Sequence, residues 1–230
     1  MNKPTCGFPG LNGPCPQPVD KPGSRCQEHE GREARSAAAE MAKAARARQV
    51  ARHRRADAVD TGSPMSDQQI AAVAECLNRH GVEYVLIGGG AALLHGAPIA
   101  RTRDADIVPA RREANLDRLV TALREMDARL WIGPAEPEGL EMLFDRTSLG
   151  QIDSFLNLVT RYGPLDVTYR PEGTEGYDDL SRSVVTIQLL GVDIPVASLA
   201  DVIRSKEAAG RAKDISVLPD LIEYLRRSTS

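Results

Sequence analysis

The sequence predicts an α/β fold of the α+β kind, built on a mixed sheet and preceded by a small N-terminal module and a long helix. Three observations carry this expectation. The apolar run Tyr84–Ile87 ends at Gly88-Gly89-Gly90 and reads as a strand running into a turn, with a short helix opening at Ala91. Residues 104–108, Asp-Ala-Asp-Ile-Val, read as a second strand, followed by an amphipathic helix with apolar residues at Leu116, Leu119, Val120 and Leu123. Two hairpins come later, 155–160 with 165–169 and 184–190 with 192–196, each with a turn rich in Gly or Pro.

The chain falls into four parts: a module over 1–30, a helix over 31–58, a linker over 59–65 and a body over 66–230. Residues 1–26 are rich in Gly and Pro and have neither helical nor strand periodicity, so apolar burial cannot order them. Cys6, Cys15, Cys26 and His29, spaced C-x8-C-x10-C-x2-H, offer three thiolates and an imidazole, a full tetrahedral set for structural Zn²⁺. The closing Cys26-Gln27-Glu28-His29 leads into a helix, which resembles zinc-ribbon and treble-clef modules. Scattered thiols in an unstructured tail are the alternative.

Residues 31–58 are dominated by Ala, Arg, Glu, Lys and Met, strong helix formers. Residues 43–55 hold six Lys/Arg and no acid, a density that can neutralise several RNA phosphates or simply keep a connecting helix solvated. The charge split matches this division. Residues 1–60 carry 11 Lys/Arg against 7 Asp/Glu, net +4, and residues 61–230 carry 18 against 25, net −7, which together give the overall −3. The absence of an uninterrupted apolar stretch of about 18 residues argues against a membrane span. The opening residues lack an apolar signal core, so a cytoplasmic location is expected.

Within the body, Ser66-Asp67-Gln68-Gln69 has the form of a capping box for a helix ending near His80 and Gly81. Cys76 reads as a small buried hydrophobe and His80 as a cation in the last turn. After the 114–123 helix, a strand is expected over 129–132 and a helix over 137–144. Ser198 should cap a helix through Val202, Ile203 and Lys206. Residues 214–225 should form the last helix, broken locally at Pro219.

Side chains at i and i+2 of a strand share a face, so Asp104 and Asp106 would stand side by side, an arrangement favoured when a divalent cation lies between them. Gly88-Gly89, a spacer and Asp104-Ala105-Asp106-Ile107 together resemble the signature of the DNA polymerase β-like nucleotidyltransferase superfamily. Leu165-Asp166-Val167 resembles its third carboxylate strand. The run from Lys206 through Arg211 to Lys213-Asp214 resembles the C-terminal motif of the AbiEii and related toxin-type members. The resemblance covers roughly 66–230 and departs at Gly89, where many members carry Ser.

It implies Asp104, Asp106 and Asp166 as catalytic ligands of Mg²⁺ or Mn²⁺, and Gly88, Gly89, Lys206, Arg211 and Asp214 as the nucleotide-binding set. Nucleotidyl transfer needs the triphosphate aligned and its charge neutralised, which two ions about 4 Å apart accomplish with hard oxygen ligands. The expected activity moves a nucleoside monophosphate from an NTP to a macromolecular hydroxyl. The toxin-type resemblance points to a tRNA 3′ end or other RNA, a toxin or phage-defence role and a cognate antitoxin. A small-molecule or protein acceptor is the alternative within enzymes, and a non-catalytic nucleic-acid-binding or regulatory protein the alternative outside them. No His-Glu-x-x-His, Gly-x-Ser-x-Gly or Walker A pattern is present.

The N-terminal set yields a direct expectation: Cys26→Ser should lose one zinc per chain and leave the stability of the body from Ser66 onward unchanged. Elemental analysis of protein purified without chelator checks it, and equal zinc content in wild type and variant contradicts it.

Overall fold

The computed structural model describes residues 18–19, 63–152 and 155–228. The candidate zinc ligands and the basic 31–58 helix lie outside the described residues. The chain divides into units 1–60 and 61–230, and the elements below belong to the second.

In chain order these are α1 (Asp67–Arg79), β1 (Tyr84–Ile87), α2 (Gly88–Leu94), β2 (Ala105–Pro109), α3 (Glu113–Glu125), β3 (Arg129–Leu130), α4 (Arg146–Gly150), β4 (Phe155–Thr160), β5 (Gly163–Thr168), α5 (Tyr177–Leu180), β6 (Val185–Leu189), β7 (Val192–Val196), α6 (Leu199–Ala209) and α7 (Ala212–Ser228). The strands form one seven-stranded sheet in the order β3-β4-β5-β2-β1-β7-β6. It is mixed: β2 runs parallel to β5 and β1 parallel to β7, while the other neighbours are antiparallel.

Local chemistry sets the helix ends. Ser66 caps α1 with both bonds of a capping box: its hydroxyl accepts from the Gln69 N–H, and Gln69 Oε1 accepts from the Ser66 N–H at 2.9 Å. Met65, the last residue of the expected linker, is buried, and its N–H donates to the Thr102 carbonyl at 2.9 Å. Ser198 caps α6, and Gly210 ends it in the left-handed region at φ +59. In the β6–β7 hairpin, Leu190 and Gly191 both take positive φ, the two-residue turn that matches strand twist.

The ladder alternates by rung. Leu156, Val167, Ile107, Leu86 and Val196 are successive partners across β4, β5, β2, β1 and β7, and all are buried. Side chains on the next rung point to the opposite face. Asn115, at the start of α3, is the buried polar tie: its side chain accepts from the Glu83 N–H at 2.7 Å and donates to the Glu83 and Ala110 carbonyls at 2.9 Å each. All three bonds are local to the entry of β1 and the exit of β2, so this burial carries no unsatisfied group.

Four local expectations are corrected. Residues 137–144 form no helix: Gly139 at φ +72 turns the chain, and Leu140 exchanges both backbone bonds with Leu130, at 2.8 and 2.9 Å. The helix of this region is α4, started by a capping box between Asp145 and Ser148. The 129–132 strand is only two residues long. The helix after β1 begins at Gly88 instead of Ala91, because Gly88 at φ +69 makes the turn itself. Pro219 lies inside α7 without ending it. The carbonyl it leaves without an N–H partner belongs to Ile215, whose side chain is exposed, so water can serve that turn.

Candidate active site

The rung beside the apolar one is polar. Asn157, Asp166, Asp106 and Ile87 are successive partners across β4, β5, β2 and β1. Neighbouring strands lie about 4.8 Å apart, so this register holds the Asp106 and Asp166 side chains next to each other on one face. Asp166 is buried. Asn157 Nδ2 donates to Asp166 Oδ1 at 2.6 Å, which fixes that carboxylate with a neutral donor. Asp104 comes one residue before β2 begins, so only Asp106 of the pair lies in the strand proper. The Thr102 hydroxyl is 3.1 Å from Asp104 Oδ1 and 3.2 Å from the Asp104 carbonyl, between which it shares its proton.

The two glycines pack directly on this group. A methyl group at Gly88 would sit 2.2 Å from Asp106 Oδ2, and one at Gly89 would sit 3.1 Å from Thr102 Oγ1. Thus the Gly88 backbone lies against the carboxylate with no room for a side chain, and Thr102 fills the space beside Gly89.

The cationic candidates gather at the joint between α6 and α7. On one continuous helix Lys206 and Arg211 would diverge by about 140°, but the turn at Gly210 brings both onto Asp214. Lys206 Nζ lies 2.8 Å from Asp214 Oδ1, and Arg211 Nε lies 2.5 Å from Oδ2. Asp214 is only 1% exposed. Burial pushes its pKa up, but hydrogen bonds and charge from Lys206 and Arg211 outweigh this and hold it below the usual carboxylate range. α2 packs against α6. Tyr224 of α7 donates to the His95 carbonyl just past α2 at 2.8 Å. The glycine turn and the Lys206–Asp214–Arg211 group are therefore joined through α2.

All the body residues singled out in sequence thus fall into two sets, the carboxylates with Gly88-Gly89 and the cations with Asp214. Asn157 and Thr102 were not anticipated. Only the alternation of Phe-Leu-Asn-Leu-Val-Thr hinted at Asn157, and its partner depends on strand register. The oxygen-only donor set of Asp104, Asp106 and Asp166 fits a hard divalent ion such as Mg²⁺ or Mn²⁺.

No family model and no curated protein matches the chain. It is similar to solved structures at low identity. One is a protein of Thermotoga maritima assigned as a nucleotidyltransferase: 16% identity, 66% of this chain and 89% of that one, TM-score 0.43. Another is the lincosamide antibiotic adenylyltransferase LnuA bound to lincomycin: 15% identity, 69% and 98% coverage, TM-score 0.47. A third is an antigenic nucleotidyltransferase-like protein of Paracoccidioides brasiliensis: 22% identity, 70% and 79% coverage, TM-score 0.43. With identities this low and TM-scores below 0.5, none of them assigns an activity or a substrate to this chain.

The buried group at Asp214 sets an expectation for stability. Asp214→Asn leaves two largely buried cations without their counter-charge and should cost about 3–5 kcal/mol at pH 7. Because the folded pKa of Asp214 is depressed, its contribution is complete above the unfolded value of about 3.9 and fades as pH falls through the lower folded value. Urea unfolding of wild type and variant should therefore show a gap that is constant near neutrality and narrows below about pH 4. A gap that persists unchanged at the acid end would show that Asp214 acts through packing.

Proposed function

We propose that this chain is a metal-dependent nucleotidyltransferase, moving a nucleoside monophosphate from an NTP to a hydroxyl on RNA, with a tRNA 3′ end the favoured acceptor. The reading includes the toxin-type role and cognate antitoxin that the resemblance implies. The observation that supports it most is the polar rung, where Asp106 and Asp166 are register partners and the Gly88 backbone lies against the Asp106 carboxylate. The sheet holds like charges together there, next to a backbone that admits no side chain.

Each residue has a part in this reading. Asp104 and Asp106 offer oxygen atoms to the triphosphate side of the site, and Asp166, steadied by Asn157, serves the side where the acceptor hydroxyl enters. Mg²⁺ or Mn²⁺ held by these carboxylates would neutralise developing phosphate charge and lower the pKa of the attacking hydroxyl. Gly88 and Gly89 would offer the backbone N–H groups of the turn into α2 to phosphate oxygens. Lys206 and Arg211, preset by Asp214, present a point charge and a planar fork to the triphosphate. The intact carboxylate trio weighs against a non-catalytic protein. The −7 body would repel RNA away from its metals, so acceptor affinity is assigned to the +4 N-terminal part.

Incubation with each labelled NTP and total RNA tests this. Asp104→Asn or Asp106→Asn should abolish labelling with folding intact, as should excess EDTA. Wild-type turnover in either variant would overturn the metal-dependent reading. A chain beginning at Thr61, which keeps the buried Met65, should keep NTP binding and lose RNA affinity, and the log-log salt slope of roughly −3 to −5 expected for the full chain should become shallower. Equal labelling and equal slopes for the two would show the basic helix to be a connector, and no labelled RNA from either would move the acceptor to a small molecule or protein.

A further inference from the structure

Among the described residues, one group of metal-ligating side chains stands apart from the carboxylates: Cys76 on α1, His80 at its C-cap and Glu125 at the end of α3, with donor atoms all within 4.8 Å of one another. We propose that these three residues form a zinc site in the body, binding one Zn²⁺ that clamps α1 to α3, with water completing the tetrahedron.

Helical spacing creates half of the site. Cys76 and the C-cap residue His80 are four residues apart, with the His80 N–H donating to the Cys76 carbonyl at 3.3 Å, and so lie on one side of the last turn. Glu125 closes it from the adjoining helix: its Oε2 is 2.6 Å from His80 Nε2. Zinc bonds of about 2.0–2.3 Å in tetrahedral geometry place donor atoms roughly 3.3–3.7 Å apart, so loading needs a contraction of about 1 Å at the widest pair. The chain can supply this. The His80 and Glu125 side chains are 22% and 35% exposed and can rotate, while Cys76 is held in the core. The Cys76 thiol makes a weak contact at 3.8 Å to the Ala122 carbonyl and also faces Glu125 and Arg79; burial and the Glu125 charge push its pKa up, so losing its proton is the main cost of binding metal.

The charges also balance. A thiolate, a carboxylate and a neutral imidazole leave a bound Zn²⁺ neutral overall, and the three donors are of the kinds that zinc takes. Arg79 is the resident competitor. Its guanidinium pairs with Glu125 and is half exposed, so it can turn into solvent when the ion enters. The site lies ten residues into α1 from Ser66, about 15 Å along the helix from the end that docks at Thr102. Its role is therefore mechanical, and it does not rest on the proposed transfer activity.

The test uses the full chain, with zinc content measured after dialysis against buffered zinc and affinity measured by competition with a chromophoric chelator. Cys6, Cys15, Cys26 and His29 are unchanged in every variant, so any zinc they hold cancels in the differences. Wild type should retain one zinc more than His80→Gln or Glu125→Gln, both at partly exposed positions, and affinity at this site should fall at least about tenfold in each. Arg79→Gln should bind several-fold more tightly, because it removes the competing cation while leaving the ligands. In Co²⁺-loaded protein, Cys76→Ser should lose a thiolate charge-transfer band in the difference spectrum. Equal zinc content and coincident competition curves for wild type, His80→Gln and Glu125→Gln would overturn the proposal, as would weaker binding by Arg79→Gln.

Discussion

Pairing β2 with β5 in the register that sets Asp106 opposite Asp166 obliges two carboxylates to share one face of the sheet at a single strand spacing. Unit charges about 4.8 Å apart repel by roughly 3 kcal/mol at the effective dielectric of a protein surface. The Asn157 amide, one of the partners of Asp166, offsets part of this. The sheet cannot relieve the repulsion by slipping. A one-residue shift would turn Ile107 and Val167, both fully buried, onto the polar face and bring the carboxylates into the core. The apolar rung therefore enforces the polar one, and in the proposed reading a divalent cation stabilises what the register imposes.

The second charged group solves the converse problem. Two largely buried cations, Lys206 on α6 and Arg211 in the joint before α7, meet a single buried carboxylate, Asp214. The geometry depends on Gly210, whose positive φ ends one helix and redirects the chain into the next. Lys206 and Arg211 are thereby held in place, which in the proposed reading lowers the ordering cost of binding a phosphate chain. Together with the glycines at the start of α2, this produces an anion-friendly and a cation-friendly group joined by one short helix.

Much of this was legible in the sequence because it is local. The Ser66–Gln69 capping box, the turn at Gly191 and the cap at Ser198 each depend on residues within four positions of one another. The strand carrying Asp106 and the two hairpins were legible for the same reason, whereas Asp104, expected on that strand, lies one residue before it. What failed was non-local or balanced by context. Residues 137–144 have passable helical composition, yet Gly139 and the pairing of Leu140 with Leu130 draw them toward the sheet edge. Pro219 removes one helical bond, a loss that packing around buried Leu221 outweighs. Asn157 and Thr102 could not be assigned because their partners are set by register and by the path of the loop before β2. Likewise, nothing in a single sequence places Glu125 against Cys76 and His80.

The central claim is that Asp104, Asp106 and Asp166 form a divalent-metal centre, and manganese binding tests it without reference to any acceptor. Free Mn²⁺ can be followed by its electron paramagnetic resonance signal while wild type and Asp106→Asn are titrated in the presence of a non-hydrolysable NTP. The account predicts saturable binding by wild type that is lost in the variant, with both chains showing the same thermal unfolding. Equal binding by the two would contradict it.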